Sequence, residues 1–223
     1  MNVIRKERWL IVSFSKPQVA LSWAIHGGGI TQAQTIAWCQ VTNQELKPPV
    51  DAKQFLKHSL VEEGIPDAIG MLTSADLSFY HDVTRIREGI EARCIATVGM
   101  TNALRIGDPP AQAGHAGTIN LLCAVSVPLS IPALAEALSL AVEARTTAVM
   151  EAALPSIQSG RPATGTGTDC VVLACPEDAV APKADYAGKH TVLGSLIGEA
   201  VYEAVESGLK IWKAKCAEKA ASV

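Results

Sequence analysis

What most constrains the fold of this 223-residue chain is an amphipathic helical segment caught between two apolar runs in its second half. Ser130 followed by Pro132 is a helix-start signal. From there Leu134, Leu138, Ala141, Val142, Arg145 and Val149 fall on one stripe at the helical period, so the spacing predicts a helix to about Ala153. A strand is expected before it, near 117–127. After it, beyond a loop rich in Gly, Thr and Pro, Cys170-Val171-Val172-Leu173-Ala174 is wholly apolar, as in a strand covered on both faces. Strand, helix and strand in this order form a crossover unit. One member of the helical stripe is charged: Arg145 lies within the apolar side, and a cation there needs a carboxylate or carbonyl partner. Helix and sheet are therefore expected to enclose a charged pair.

The first third reads as strands. Residues 8–14 and 19–25 flank an expected turn at Lys16-Pro17-Gln18, and His26-Gly27-Gly28-Gly29 leads into a third strand at 35–41, an antiparallel meander. Asp51 caps a helix to about Glu63, which Gly64 and Pro66 end. Strands near 68–73 and 92–99 follow. A last helix starts near Thr191, with Leu193, Ile197, Val201, Val205, Leu209, Trp212 and Cys216 facing inward and Gly208 as an interruption. Its late lysines, among them Lys210, Lys213 and Lys215, suit the negative end of the helix dipole. Aromatics are only 4% of residues while Ala, Val, Leu and Gly abound, so the core must be small aliphatic groups packed closely. The expected fold is α+β: one domain over residues 1–223, a mixed or antiparallel sheet packed with three main helices. Both a two-layer arrangement and a helix–sheet–sheet–helix sandwich satisfy the pattern.

Several function classes are disfavoured by composition. Nineteen Lys and Arg against 22 Asp and Glu leave a net charge of −3 and no basic face for nucleic acid. No run approaches the roughly 20 apolar residues that span a bilayer, and no apolar signal segment follows Met1, so a cytoplasmic location is expected. The six cysteines contain no CxxC pair and read as reduced thiols, mostly buried. His26, His81 and His115 supply ligand types without ligand spacing, so no metal site is expected. There is no GxSxG elbow and no phosphate-binding glycine motif.

Candidate chemistry gathers in a few segments. Ala163-Thr164-Gly165-Thr166-Gly167-Thr168-Asp169 brings three hydroxyls, two glycines and a carboxylate to a sheet edge, where backbone N–H groups can approach a polar ligand. His190 stands beside a helix N-terminus, whose free N–H groups suit a developing oxyanion and whose dipole favours a neutral imidazole able to act as a base. Asn102 and Asn120 place amides at strand ends. Glu143, about 180° from Leu134 on the 131–153 helix, reads as a solvated carboxylate.

These segments together resemble one family. ATGTGTD at 163–169, YAGKHTVLGSLIG at 186–198, GTIN at 117–120, GMTNA at 99–103 and Glu143-Ala144-Arg145 resemble, in order and spacing, the adenosylcobinamide amidohydrolases, the CbiZ family of corrinoid salvage. The likeness runs from about Ser22 to Val201, with His26 standing where the family would have Asn and Arg145 where it more usually has Lys. The resemblance implies hydrolysis of the amide joining the corrinoid's propionyl side chain to aminopropanol, giving adenosylcobyric acid and 1-amino-2-propanol. It implies no cofactor beyond the cobalt corrinoid substrate itself; composition and hydropathy leave no nucleic-acid or membrane partner expected, and a homo-oligomer stays open. Amide cleavage needs a nucleophile, oxyanion donors and an acid for the amine. Asp169, His190, Thr166 and Thr168 are the catalytic candidates, with Asp169 or His190 activating either a water or a threonine hydroxyl. Asn102, Asn120, Thr164, Gly165, Gly167, Glu143, Arg145 and Gly28 are the substrate-binding candidates. Two other readings stay open at this point: a corrinoid-binding protein without catalysis, and a self-processing amidohydrolase cut within the 164–169 loop.

Overall fold

A computed structural model describes residues 1–110, 117–178 and 182–221; His115 lies outside them. The strands are β1 (Asn2–Lys6), β2 (Trp9–Ser22), β3 (Gly29–Gln40), β4 (Ile69–Thr73), β5 (His81–Arg87), β6 (Ile90–Val98), β7 (Ala103–Leu104), β8 (Ile119–Val125), β9 (Gly165–Thr166) and β10 (Cys170–Pro176). The helices are α1 (Ala52–Glu62), α2 (Ile131–Glu151) and α3 (Val192–Ala221). The fold is α+β, as the pattern requires. Its main sheet is mixed, in the order β4-β3-β2-β10-β8-β6-β5 with β1 on β2, while β7 and β9 form a separate small ladder.

The expected crossover unit is present. β8 and β10 are parallel neighbours, Cys170 opposite Asn120, with α2 between them in sequence. Ser130 caps α2, its hydroxyl accepting from Ala133 N, and Pro132 sits in the first turn, where no amide donor is needed. The turn expected at Lys16-Pro17-Gln18 is not there. β2 runs on through it as one 14-residue strand, with a register shift against β3 between Ser13 and Gln18. The reason is a change of partner: β1 pairs with β2 up to Ser13 and β10 pairs from Gln18, so Pro17 falls where neither neighbour requires its missing N–H.

The bulge lets the sheet double over. Val171, Leu173 and Cys175 of β10, Leu121 and Cys123 of β8, and Cys94 of β6 face α2 and α3. The alternate residues Val172, Leu122 and Ile95 face inward and meet Leu10, Val12, Ile36, Trp38, Ile69 and Met71 from the other half of the sheet. The outer face of that half, with Trp9, Ala37 and Cys39, is covered by Leu56 and Leu60 of α1. The layering is helix, sheet, sheet, helix. Two hydrogen bonds cross between the halves near one end: Asn120 Nδ2 donates to Leu72 O at 2.7 Å, and Trp38 Nε1 to Asn120 O at 3.4 Å.

Close backbone contacts depend on glycine at a few points. A Cβ on Gly28 would lie 2.5 Å from Ala24 O, so the β2–β3 connection can tighten only there. Five cysteines are buried and Cys216 is exposed, and no disulfide joins them. No helix among the described residues is long and apolar enough to cross a membrane.

Candidate active site

Where the two halves of the sheet diverge, a cavity of about 480 Å³ opens at the ends of β3, β4, β8 and β10. Period-two alternation places Thr118 and Asn120 on the inner face, next to Cys170 and Asp169 at the start of β10. Thr73, Ser74, Asn102 and Thr168 complete its polar wall; Trp23, Ile25, Met71 and Leu72 supply apolar surface, and Lys47 stands at the exposed rim.

Asp169 organises the floor. Its Oδ2 accepts from Arg145 Nη1 at 2.5 Å and from Thr166 N at 2.9 Å. Its Oδ1 accepts from Ile119 N at 2.9 Å and from Thr166 Oγ1 at 2.5 Å. Two donors on each oxygen fill the acceptor capacity of a carboxylate. The pair is buried, with 11% of the Arg145 side chain and 5% of the Asp169 side chain exposed. This is the charged pair that the apolar stripe of α2 demands. Arg145 Nη2 goes on to Thr146 Oγ1 at 3.1 Å, and its Nε is buried without a partner. Gly165 gives the guanidinium room: a Cβ there would collide with Asp169 Oδ2 and lie 3.4 Å from Arg145 Nη1.

Thr118, in the GTIN segment, is a buried hydroxyl of the cavity wall that sequence reasoning passed over. Only 5% exposed, its hydroxyl lies 3.0 Å from Asn120 Oδ1 and 2.9 Å from Thr168 O. The Thr168 hydroxyl in turn donates to Gly117 O at 3.1 Å. Strand periodicity was the available signal, since it puts Thr118 on the same face as Asn120. Trp23 also escaped notice; its Nε1 donates to Asp169 O at 2.6 Å, fixing a half-exposed indole at the cavity mouth. Burial pushes the Cys170 thiol up to about 12, with the Asp169 charge adding to the shift, so this cavity residue stays a neutral thiol.

The structure thus brings together Asp169, Thr168, Asn102 and Asn120 in the cavity wall, with Arg145, Thr166 and Gly165 directly behind. Gly167 packs so closely on Asn102 that a Cβ would come within 2.9 Å of Asn102 Nδ2. Thr164 points to the outside, where its hydroxyl accepts from Ile106 N at 2.8 Å. His190 and Glu143 are elsewhere. Glu143 forms an exposed ion pair with Lys189 on the outer side of the helical layer, and exposed His190 precedes Thr191, whose hydroxyl caps α3 by accepting from Gly194 N at 2.9 Å. Gly28 lines a second hollow, of about 450 Å³, on the far side of Trp23 and Ile25. His26 is tied to the β4 edge through Gly70 and to Pro66 O at 3.1 Å. Among the described residues no group of three His, Cys, Asp or Glu side chains is placed to hold a metal ion.

The family model for adenosylcobinamide amidohydrolase, CbiZ, matches residues 1–217. The chain belongs to that family. It is similar to the adenosylcobinamide amidohydrolase of Methanosarcina mazei, 28% identical over an alignment of 171 residues that covers 73% of this chain and 77% of the relative. Solved structures that align with it include a Burkholderia sp. β-aminopeptidase, at TM-score 0.43 and 12% identity over 86% of this chain and 74% of that one. Another is the PH0078 protein of Pyrococcus horikoshii, at TM-score 0.45 and 15% identity over 90% and 77%. The assignment rests on the CbiZ match. As a CbiZ member the chain is an enzyme of the amidohydrolase kind, and the cavity wall holds three segments of the motif set: GMTNA through Asn102, GTIN through Gly117, Thr118 and Asn120, and ATGTGTD through Thr168 and Asp169.

Proposed function

We propose that this chain hydrolyses the amide linking a corrinoid side chain to aminopropanol in adenosylcobinamide, releasing adenosylcobyric acid and 1-amino-2-propanol for corrinoid salvage. The observation that carries the reading is the convergence of three separate motif segments of a CbiZ member on one cavity. The cavity suits an arm of the substrate rather than the whole of it. At about 480 Å³ it takes the aminopropanol amide, while the macrocycle rests outside against Trp23 and Ile25.

Within the cavity the scissile carbonyl is set against the Thr118 hydroxyl, the nucleophile in this reading. Thr118 is positioned by Asn120 and the Thr168 carbonyl. The Asn102 amide, on the same wall, serves the oxyanion of the tetrahedral intermediate. Asp169, with both oxygens occupied, holds the 164–169 loop and the start of β8 in register through Arg145 and Ile119 N. The corrinoid cobalt arrives with the substrate.

The test is to incubate the purified protein with adenosylcobinamide and follow adenosylcobyric acid and aminopropanol by mass spectrometry. Turnover supports the reading, and its abolition in Thr118→Ala supports the place given to that hydroxyl. Tight corrinoid binding without turnover in the wild type would refute it in favour of a carrier.

A further inference from the structure

Among the described residues the cavity holds the Thr118 hydroxyl but no side chain placed as a base to take its proton. Among the described residues no histidine lines it, Asp169 already accepts two donors on each oxygen, and Lys47 sits at the exposed rim. A threonine hydroxyl near its ordinary pKa is a weak nucleophile unless a base stands next to it.

Among the described residues, the peptide bond on the N-terminal side of Thr118 can release such a base. Its carbonyl, Gly117 O, already accepts the Thr168 hydroxyl at 3.1 Å, the contact that an oxyanion on this carbon would use. The Thr118 hydroxyl is next to the same carbonyl carbon along the chain. Gly117 is wedged against the 101–102 backbone: a Cβ would collide with Thr101 Oγ1 and lie 2.7 Å from Asn102 N and 2.8 Å from Thr101 N. This peptide unit is thus fixed in place, with a donor on its oxygen and a hydroxyl beside its carbon.

We propose that the chain cleaves its own peptide bond between Gly117 and Thr118, and that the α-amine freed on Thr118 is the base for amide hydrolysis. Thr118 Oγ1 adds to the Gly117 carbonyl carbon, the C–N bond breaks, and the hydroxyl proton passes to the departing nitrogen. This leaves an ester between Gly117 and the Thr118 side chain. Water then hydrolyses the ester, returning the hydroxyl to Thr118 and leaving Gly117 as a carboxylate. The new amine sits on the same residue as the nucleophile and takes its proton in each later turnover. Both fragments stay together, because β8 remains paired with β6 from Ala92–Val125 to Val98–Ile119 and β10 with β2 from Ser22–Val172 to Gln18–Pro176.

The proposal rests on the placement of Thr118 at the scissile amide, and the test separates the two. Intact mass and N-terminal sequencing under denaturing conditions should show fragments 1–117 and 118–223, the second starting Thr-Ile-Asn. Thr118→Ala should stay one chain with native circular dichroism and lose activity by at least about a thousandfold. Thr118→Ser should still cleave, and Thr168→Val should slow cleavage at least about tenfold. A wild-type chain that remains whole overturns the cleavage, and if it turns over adenosylcobinamide the hydrolase reading survives. Cleavage that persists in Thr118→Ala, or that falls at another bond, also overturns it. A correctly cleaved chain without turnover keeps the cleavage and refutes the hydrolase reading.

Discussion

Replacing Asp169 by alanine removes the carboxylate that pairs with Arg145 beneath the cavity. The guanidinium is left in a site where only 11% of its side chain is exposed, with its Nε already unpartnered, and Ile119 N and Thr166 N lose their acceptor. Removing one member of a buried pair costs about 3–5 kcal/mol, because the remaining charge stays desolvated. For a chain of this size each kcal/mol lowers Tm by about 2–4 °C, so Asp169→Ala should melt about 6–20 °C below the wild type. Asp169→Asn keeps the shape but sets an amide NH2 against one of the present donors, and should lie between the two. The diagnostic variant is the double substitution Arg145→Met/Asp169→Ala. It leaves no stranded charge and should recover at least about 2 kcal/mol of the loss in the single Asp169→Ala variant. Urea melts of the four proteins, followed by circular dichroism, measure this recovery. A loss below about 1 kcal/mol in Asp169→Ala, or a double variant no more stable than the single, would refute the argument that a dry ion pair holds this corner together.

Trp23→Ala should raise KM for adenosylcobinamide about tenfold while leaving kcat within about twofold, since the indole is placed to hold the substrate outside the reacting amide; steady-state kinetics decide. His81, whose Nε2 is buried without a partner, has its pKa lowered by burial. The unfolded chain therefore binds this proton more readily than the folded one. The contribution is fully present above the unfolded value of about 6.5 and is lost as pH falls through the lowered folded value, so urea midpoints should drop as pH falls below about 6.5, and His81→Phe should flatten the drop. Cys216 is exposed whereas the Cys170 thiol is held at about 12, so iodoacetamide at about pH 8 should label Cys216 in the native protein well before Cys170, as peptide mass mapping would show.

How far the sequence reaches is clearest on α2. Arg145 and Glu143 are two residues apart, about 200° around the helix, so they must serve opposite sides of it. The apolar stripe identified Arg145 as the inward one and called for a carboxylate or carbonyl partner, and Asp169 answers. The same geometry separates the other candidates. Lys189 pairs with Glu143 on the outer side, so the α3 N-terminus and His190 lie across α2 from Asp169. A local motif shows that His190 precedes a helix, but which side of the neighbouring helix it meets is a tertiary fact. Pro17 misleads for a related reason. It looks like a turn because a proline inside a strand normally costs a ladder bond, and only the exchange of β1 for β10 as partner of β2 makes that bond unnecessary.

The cavity's position has a simple cause in how the inner face of the sheet changes along its strands. Moving two residues along each strand toward one end, Met71 gives way to Thr73, Ile95 to Thr97, Leu122 to Asn120 and Val172 to Cys170. The aliphatic members fill the space between the two halves of the sheet at close packing, whereas the hydroxyls and amides require partners of their own and take them across the gap or along the strand. Asn120 is where the two regimes meet. Its amide ties β8 to Leu72 O, its carbonyl receives Trp38 Nε1, and beyond it the halves separate around Thr118. Replacing Asn120 by leucine would extend the aliphatic layer by one step toward the cavity but leave Leu72 O and the Thr118 hydroxyl each without that partner. A protein so changed should lose amide turnover and be destabilised by about 1–3 kcal/mol, because an unpaired buried acceptor costs more than one added side chain returns. Equal or higher stability in Asn120→Leu, measured by urea melts, would show that the polar end of the sheet is dispensable to the fold.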